Sequence, residues 1–202
     1  MSYGDFDVRK IIDLFGYRVE EAPFTGELRP EPPSPRLMGA LDLLRAALVL
    51  GSEKSRSESL IAPILSEAAV RSHTRLFSGE LFDVDGERGL TGQVDFLFAR
   101  KAPGKTIVDP VLCLVEAKKA DIDSRAFGQC MATMIAAQRF NKDRHPVHGS
   151  VTTGSDWQFL RLRDDLFEID PTVYYERDTS TILGILLAFL GVPEEARGAP
   201  AG

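Results

Sequence analysis

The sequence predicts an α/β domain whose core runs helix, three strands in succession, helix, strand, with extra helices at both ends. Three observations lead there. Residues 92–100 and 107–118 read as strands joined by a Gly/Pro/Lys connection at 102–105, which makes a hairpin. Behind them, Phe127, Cys130, Met131, Met134 and Ile135 recur at helical spacing after the helix-start signal Asp121-Ile-Asp123-Ser124. Residues 147–152 then return to a strand pattern, with 153–156 as a turn and 157–162 as another strand.

In chain order, residues 1–36 read as an arm. Val8, Ile11, Ile12 and Phe15 have the i, i+3, i+4, i+7 spacing of a short amphipathic helix, and Arg29-Pro-Glu-Pro-Pro-Ser-Pro35 must be extended or turning. Such an arm packs either on its own core or on a partner chain, as in a homodimer or larger complex. A single domain over 37–192 follows. Residues 37–50 form a Leu/Ala-rich helix, apolar nearly all round and therefore expected to be buried, with Gly51 placed to end it. Residues 52–59 are a polar link or helical start, and 60–70 a second helix in which Pro63 needs an early-turn position. Extended backwards, that helix puts Glu58 on the face of Ile61, Ala62 and Leu65, whereas Glu67 lies on another face. Residues 74–84 are a first strand, interrupted at Gly79 and closed by Asp85-Gly86. A short strand at 172–175 and a helix at 180–190 complete the core, and 193–202 are a frayed tail.

Composition sets the frame. The 202 residues, 44% apolar, suffice for one real core. Cys113 and Cys130 give neither a disulfide framework nor a zinc spacing, so both read as core residues of a cytoplasmic protein. The longest apolar stretch, residues 182–192, is too short to span a bilayer, so no membrane partner is expected. His73, His145 and His148 share no ligand spacing and read as loop or surface residues. A net charge of −6 argues against a generic polyanion binder. Between Ala99 and His145, however, nine Lys/Arg stand against five Asp/Glu, a local +4.

The hairpin carries the chemistry. Glu116 and Lys118, two residues apart on a strand, emerge on one face beyond Leu112 and Leu114. Pairing across the hairpin can bring Asp95 beside Glu116. Two carboxylates so placed repel unless a cation lies between them, and Mg²⁺ is the hard cation usually held by one or two carboxylates plus phosphates. That set suits metal-assisted phosphodiester hydrolysis. The plainer reading is an exposed strand-end charge pair with Asp95 as a lone half-buried acid.

Gly92-x-x-Asp95, then Glu116-Ala117-Lys118 ending an apolar strand, then Gln129 on the following helix resembles the PD-(D/E)xK, or restriction-endonuclease-like, nuclease superfamily over roughly residues 58–190. Val94 stands where the family name has Pro, and Gln129-Cys-Met-Ala-Thr133 replaces the Gln-x-x-x-Tyr of some relatives. Thr152-Thr153-Gly154 followed by Trp157-Gln158-Phe159 is similar to the strand after the helix in nuclease domains of type I restriction subunits. The resemblance implies a Mg²⁺- or Mn²⁺-dependent nuclease acting on nucleic acid, DNA first. Asp95, Glu116 and the carbonyl of Ala117 would bind metal and Lys118 would position or activate water. Glu58 and Gln129 would support the site. Lys119, Arg125, Arg139, Lys142 and Arg144 would contact phosphates. The alternative is a catalytically weak or inactive nucleic-acid-binding or regulatory subunit on the same fold.

Overall fold

A computed structural model of the chain describes residues 1–23, 28–47, 51–104, 106–118, 121–142 and 145–194. The architecture is mixed α/β. Helices α1 (Val8–Phe15), α2 (Pro35–Ala47), α3 (Glu53–Arg56), α4 (Ala62–Arg71), α5 (Ser124–Phe140) and α6 (Thr179–Phe189) flank one sheet. Its strands are β1 (Arg18–Glu21), β2 (Arg75–Leu81), β3 (Gln93–Ala99), β4 (Val111–Ala117), β5 (Val147–Thr152), β6 (Asp156–Arg163), β7 (Leu166–Ile169) and β8 (Tyr174–Tyr175). The order across the sheet is β1-β7-β6-β5-β4-β3-β2, with β8 added to β6.

The expected hairpin is present: β3 and β4 pair antiparallel, with Phe96 opposite Val115 and Leu97 opposite Leu114. With β2 antiparallel to β3, the three form a meander. β4 then pairs parallel with β5. Parallel neighbours need a crossover, and α5 supplies it. A side-chain oxygen of Asp123 caps α5 by accepting from the Ala126 amide at 2.8 Å.

Two apolar layers sandwich the sheet. On one face α1 and α5 bury Ile11, Cys130, Met131, Met134 and Ile135 against Val94, Leu97, Leu114 and Val151. On the other, α2, α4 and α6 bury Leu41, Ile64, Leu65, Ile185 and Leu186 against Phe98, Val115, Trp157 and Phe159. Both cysteines are free and buried.

The arm packs on its own chain. Its first turn and α1 lie against α5, where Gly128 is indispensable: a Cβ there would sit 2.2 Å from Asp7 Cα. β1 pairs parallel with β7 at the sheet edge. The Pro-rich run crosses α6 at Gly184, whose missing Cβ would lie 2.1 Å from the Arg29 carbonyl oxygen. Arg71 of α4 holds that run through Glu31, at 2.6 Å, and Glu67 accepts from the Ser34 amide at 2.8 Å.

Two expectations need correction, two strands were not foreseen, and most of one expectation lies outside the described residues. α2 is not buried all round: Leu37 and Leu41 face the core while Leu43 is 68% exposed, and residues 48–50 lie outside the described residues. β1 and β7 were not foreseen. His148 belongs to β5 and is largely enclosed, stacked on Phe189 with ring centroids 4.2 Å apart. Of the tail, residues 195–202 lie outside the described residues.

Candidate active site

The ladder between β3 and β4 builds the site. With Phe96 opposite Val115, the next step toward the start of β3 sets Asp95 against Glu116. Strand alternation points both carboxyls to the face that α5 covers. Asp95 is half-buried and Glu116 only 4% exposed. The Ala117 amide donates to Asp95 Oδ2 at 2.8 Å, which fixes the aspartate side chain across the strand gap.

Lys118 closes the group. Its backbone amide donates to the Thr152 carbonyl of β5 at 2.8 Å, so the strand direction is kept past the last residue of β4. Its ammonium donates to Glu116 Oε1 at 2.7 Å and to Gln129 Oε1 of α5 at 2.9 Å. One of the three N–H donors of a lysine remains for another acceptor.

Electrostatics distinguish this group from an ordinary strand-end pair. Burial pushes the Glu116 carboxyl up to about 8; the charge of Asp95 and a hydrogen bond between the two carboxyls push the same way, against the opposing pull of Lys118. Near neutral pH two such acids hold a shared proton or a cation between them. The donor set fits a hard divalent cation. Among the described residues, no group of three or more His, Cys, Asp or Glu side chains is arranged to hold a metal. Two carboxylates alone would leave a cation held on Asp95 and Glu116 positions for water and substrate oxygens, as Mg²⁺ usually keeps.

The structure thus brings Asp95, Glu116, Ala117, Lys118 and Gln129 together. It does not bring Glu58. That side chain is 68% exposed, with Lys54 at 3.9 Å as its ionic partner. The cause is a π-helical turn at Ser57–Ile61 ahead of α4. The wider turn shifts earlier residues off the α-helical spacing that would have faced Glu58 inward.

Of the basic residues expected to contact phosphates, Arg139 and Lys142 lie away from the site. Arg125 is exposed on the first turns of α5, one turn before Gln129. Arg139 lies ten residues past Gln129, roughly 15 Å along the helix. It is committed to Asp85 and lies over the Phe15 ring, 5.7 Å from its centroid. Lys142 is exposed just beyond the same distant end. Lys119 and Arg144 lie outside the described residues.

One neighbour of the site had no sequence signal. The first residues of the chain form its flank: the Tyr3 amide donates to the Thr91 carbonyl at 3.2 Å, and a Cβ on Gly4 would stand 4.0 Å from Gln129 Oε1.

No protein-family model and no curated protein matches the chain. Among the described residues, no helix is long and apolar enough to cross a membrane.

Proposed function

We propose that the chain is a divalent-cation-dependent nuclease on a restriction-endonuclease-like core, hydrolysing phosphodiester bonds of nucleic acid, with DNA the first substrate to test. One observation carries the reading: Asp95 and Glu116 meet side by side on adjacent strands while Lys118 spans Glu116 and Gln129. The succession α4, β2, β3, β4, α5, β5, with β5 parallel to β4, also supports it. So does the position of the group at the carboxyl ends of the parallel pair, where open α/β sheets commonly bind ligands.

Asp95 and Glu116 are the residues that would hold Mg²⁺ or Mn²⁺. The ion supplies Lewis acidity toward a phosphoryl oxygen and makes a bound water more acidic. The chain supplies the alignment. The Ala117 amide keeps Asp95 turned toward Glu116. Gln129 and Glu116 hold the Lys118 ammonium from two sides, so its remaining N–H can orient an attacking water or a phosphate oxygen. Close packing around Glu116 keeps bulk water from screening these charges, which strengthens them at the reacting phosphate.

The test is incubation of the purified protein with linear, circular, single-stranded and branched DNA and with RNA, in Mg²⁺, Mn²⁺ or EDTA, beside Asp95→Ala. Cleavage that requires metal and vanishes in the variant is expected. Cleavage that survives Asp95→Ala would sink the assignment. Equal inertness of both proteins with retained nucleic-acid binding would leave a non-cleaving binding subunit as the function.

A further inference from the structure

Just before the π-helical turn, the α3 helix ends at Arg56. Arg56 is half-buried, and its Nε is shut off from solvent with no hydrogen-bond partner. On the next turn the Ser59 hydroxyl is buried in the same unpartnered state. Buried polar atoms almost always find partners, so two orphans within four residues are unusual; the enclosed Nε shows that the fold supplies this side of the Arg56 guanidinium with no acceptor, and a phosphate would be met by its outer nitrogens. A π-helical turn lies there too, and such turns occur frequently at functional sites.

The position of Arg56 says which ligand. Its Cβ lies against the turn between β5 and β6: a Cβ built on Gly154 would be 3.3 Å from it. The Gly154 amide donates to Thr152 Oγ1 at 2.9 Å, and the Thr152 carbonyl receives the Lys118 amide at 2.8 Å. Arg56 and Lys118 therefore stand at the same end of the parallel strands, approaching from the α4 and α5 faces of the sheet respectively. No ion pair involving Arg56 occurs among the described residues. A guanidinium matches the geometry of phosphate oxygens, and phosphate contacts fix the register of a nucleic-acid strand.

We propose that Arg56 is a positioning residue that grips a backbone phosphate of the substrate strand next to the one at Lys118. This rests on the nuclease reading above. It also replaces Arg139 and Lys142 as the source of backbone contact, since both lie at the far end of α5. Ser59, buried on the adjoining turn, is not assigned a contact.

The test measures binding of a short fluorescein-labelled DNA duplex and its single strand in EDTA across a salt series, followed by cleavage kinetics in Mg²⁺. Wild type, Arg56→Ala and Arg56→Lys are compared, with melting curves to show that each is folded. Arg56→Ala should weaken binding about tenfold and flatten the log Kd against log salt slope by about 1 on duplex. KM should rise with kcat little changed, the mark of lost uniform binding. Arg56→Lys should restore the slope but only part of the affinity. If wild type binds and cleaves while Arg56→Ala matches it in slope and KM, this inference falls and the nuclease reading stands. If wild type neither binds nor cleaves, both fall. Should Arg56→Ala not fold, Arg56→Lys and Arg56→Gln carry the same comparison, and a lysine variant with unchanged affinity beside a glutamine variant with an unchanged slope overturns the assignment.

Discussion

Replacing Glu116 by Gln should make the metal-free protein more stable at alkaline pH while abolishing its proposed activity. In the folded chain the Glu116 carboxyl holds its proton up to about 8, against an ordinary value of 4.5. Between those two values the folded state binds more protons than the unfolded state, so stability falls as pH rises through that window. At 1.36 kcal/mol per decade of proton affinity, the full loss by pH 9 approaches ~5 kcal/mol. Glutamine keeps the size and carries no charge to desolvate. The value of about 8 already includes the opposing pull of Lys118, so losing that ion pair takes nothing further from the gain. Urea denaturation in EDTA at pH 5 and pH 9 measures this as a difference between variant and wild type: near zero or negative at pH 5, and a few kcal/mol in favour of Glu116→Gln at pH 9. Added Mg²⁺ should then stabilise wild type and leave the variant unmoved, because only the native carboxylate pair offers a site. A variant that tracks wild type across the whole pH range, with or without metal, would refute the placement of Glu116 as a desolvated acid beside Asp95.

Two further outcomes follow from the packing. Gly128→Ala must drive the Asp7 backbone off α5, since the added Cβ would lie 2.2 Å from Asp7 Cα. We expect a loss of about 1–3 kcal/mol in chemical denaturation, typical of overpacking, and faster proteolysis within residues 1–15; an unchanged midpoint would mean the arm does not dock there. His148 is held neutral, its value pushed down to about 4 by burial and then by Arg161. The unfolded chain binds a proton near 6.5 and the folded chain does not, so stability should fall by ~3 kcal/mol as pH drops from 6.5 to 4. His148→Phe retains a ring for Phe189 and should lack that share of the acid limb. A variant limb as steep as that of wild type would assign the acid sensitivity elsewhere.

The elements that could be read from the sequence are those whose pattern is repeated and local. The β3–β4 hairpin is two short apolar runs on either side of a Gly/Pro connection, and α5 carries five apolar residues at helical spacing after Asp123; both lie where the pattern put them, and with them Asp95, Glu116, Lys118 and Gln129. What escaped depended on distant partners. β1 is Arg-Val-Glu-Glu, and only its pairing with β7 makes it a strand. Glu58 failed because a π-helical turn breaks the spacing used to place it. The basic residues between Ala99 and His145 are close in sequence, yet α5 carries Arg125 and Arg139 toward opposite ends of the sheet. Charge counted along a chain says nothing about which end of a helix bears it. Residues 147–152 read as a strand, yet His148 was set aside as a loop or surface residue for want of a ligand spacing; the residues beside it in the sheet, Cys113 on β4 and Arg161 on β6, are distant or unpatterned in sequence.

The docking of the first residues has a temporal side. Tyr3 and Asp7 are synthesised well before the surfaces that receive them, Thr91 beside β3 and Gly128 on α5, which follow some hundred residues later. Closing so long a loop is entropically slow, and contacts of this span form late in folding. The flank of the candidate site would thus be set only after β4 and α5 have joined. A nascent chain would carry Asp95 and Glu116 before it carried a finished site, and whatever chemistry the site performs would wait for residues made some hundred positions earlier to find their place.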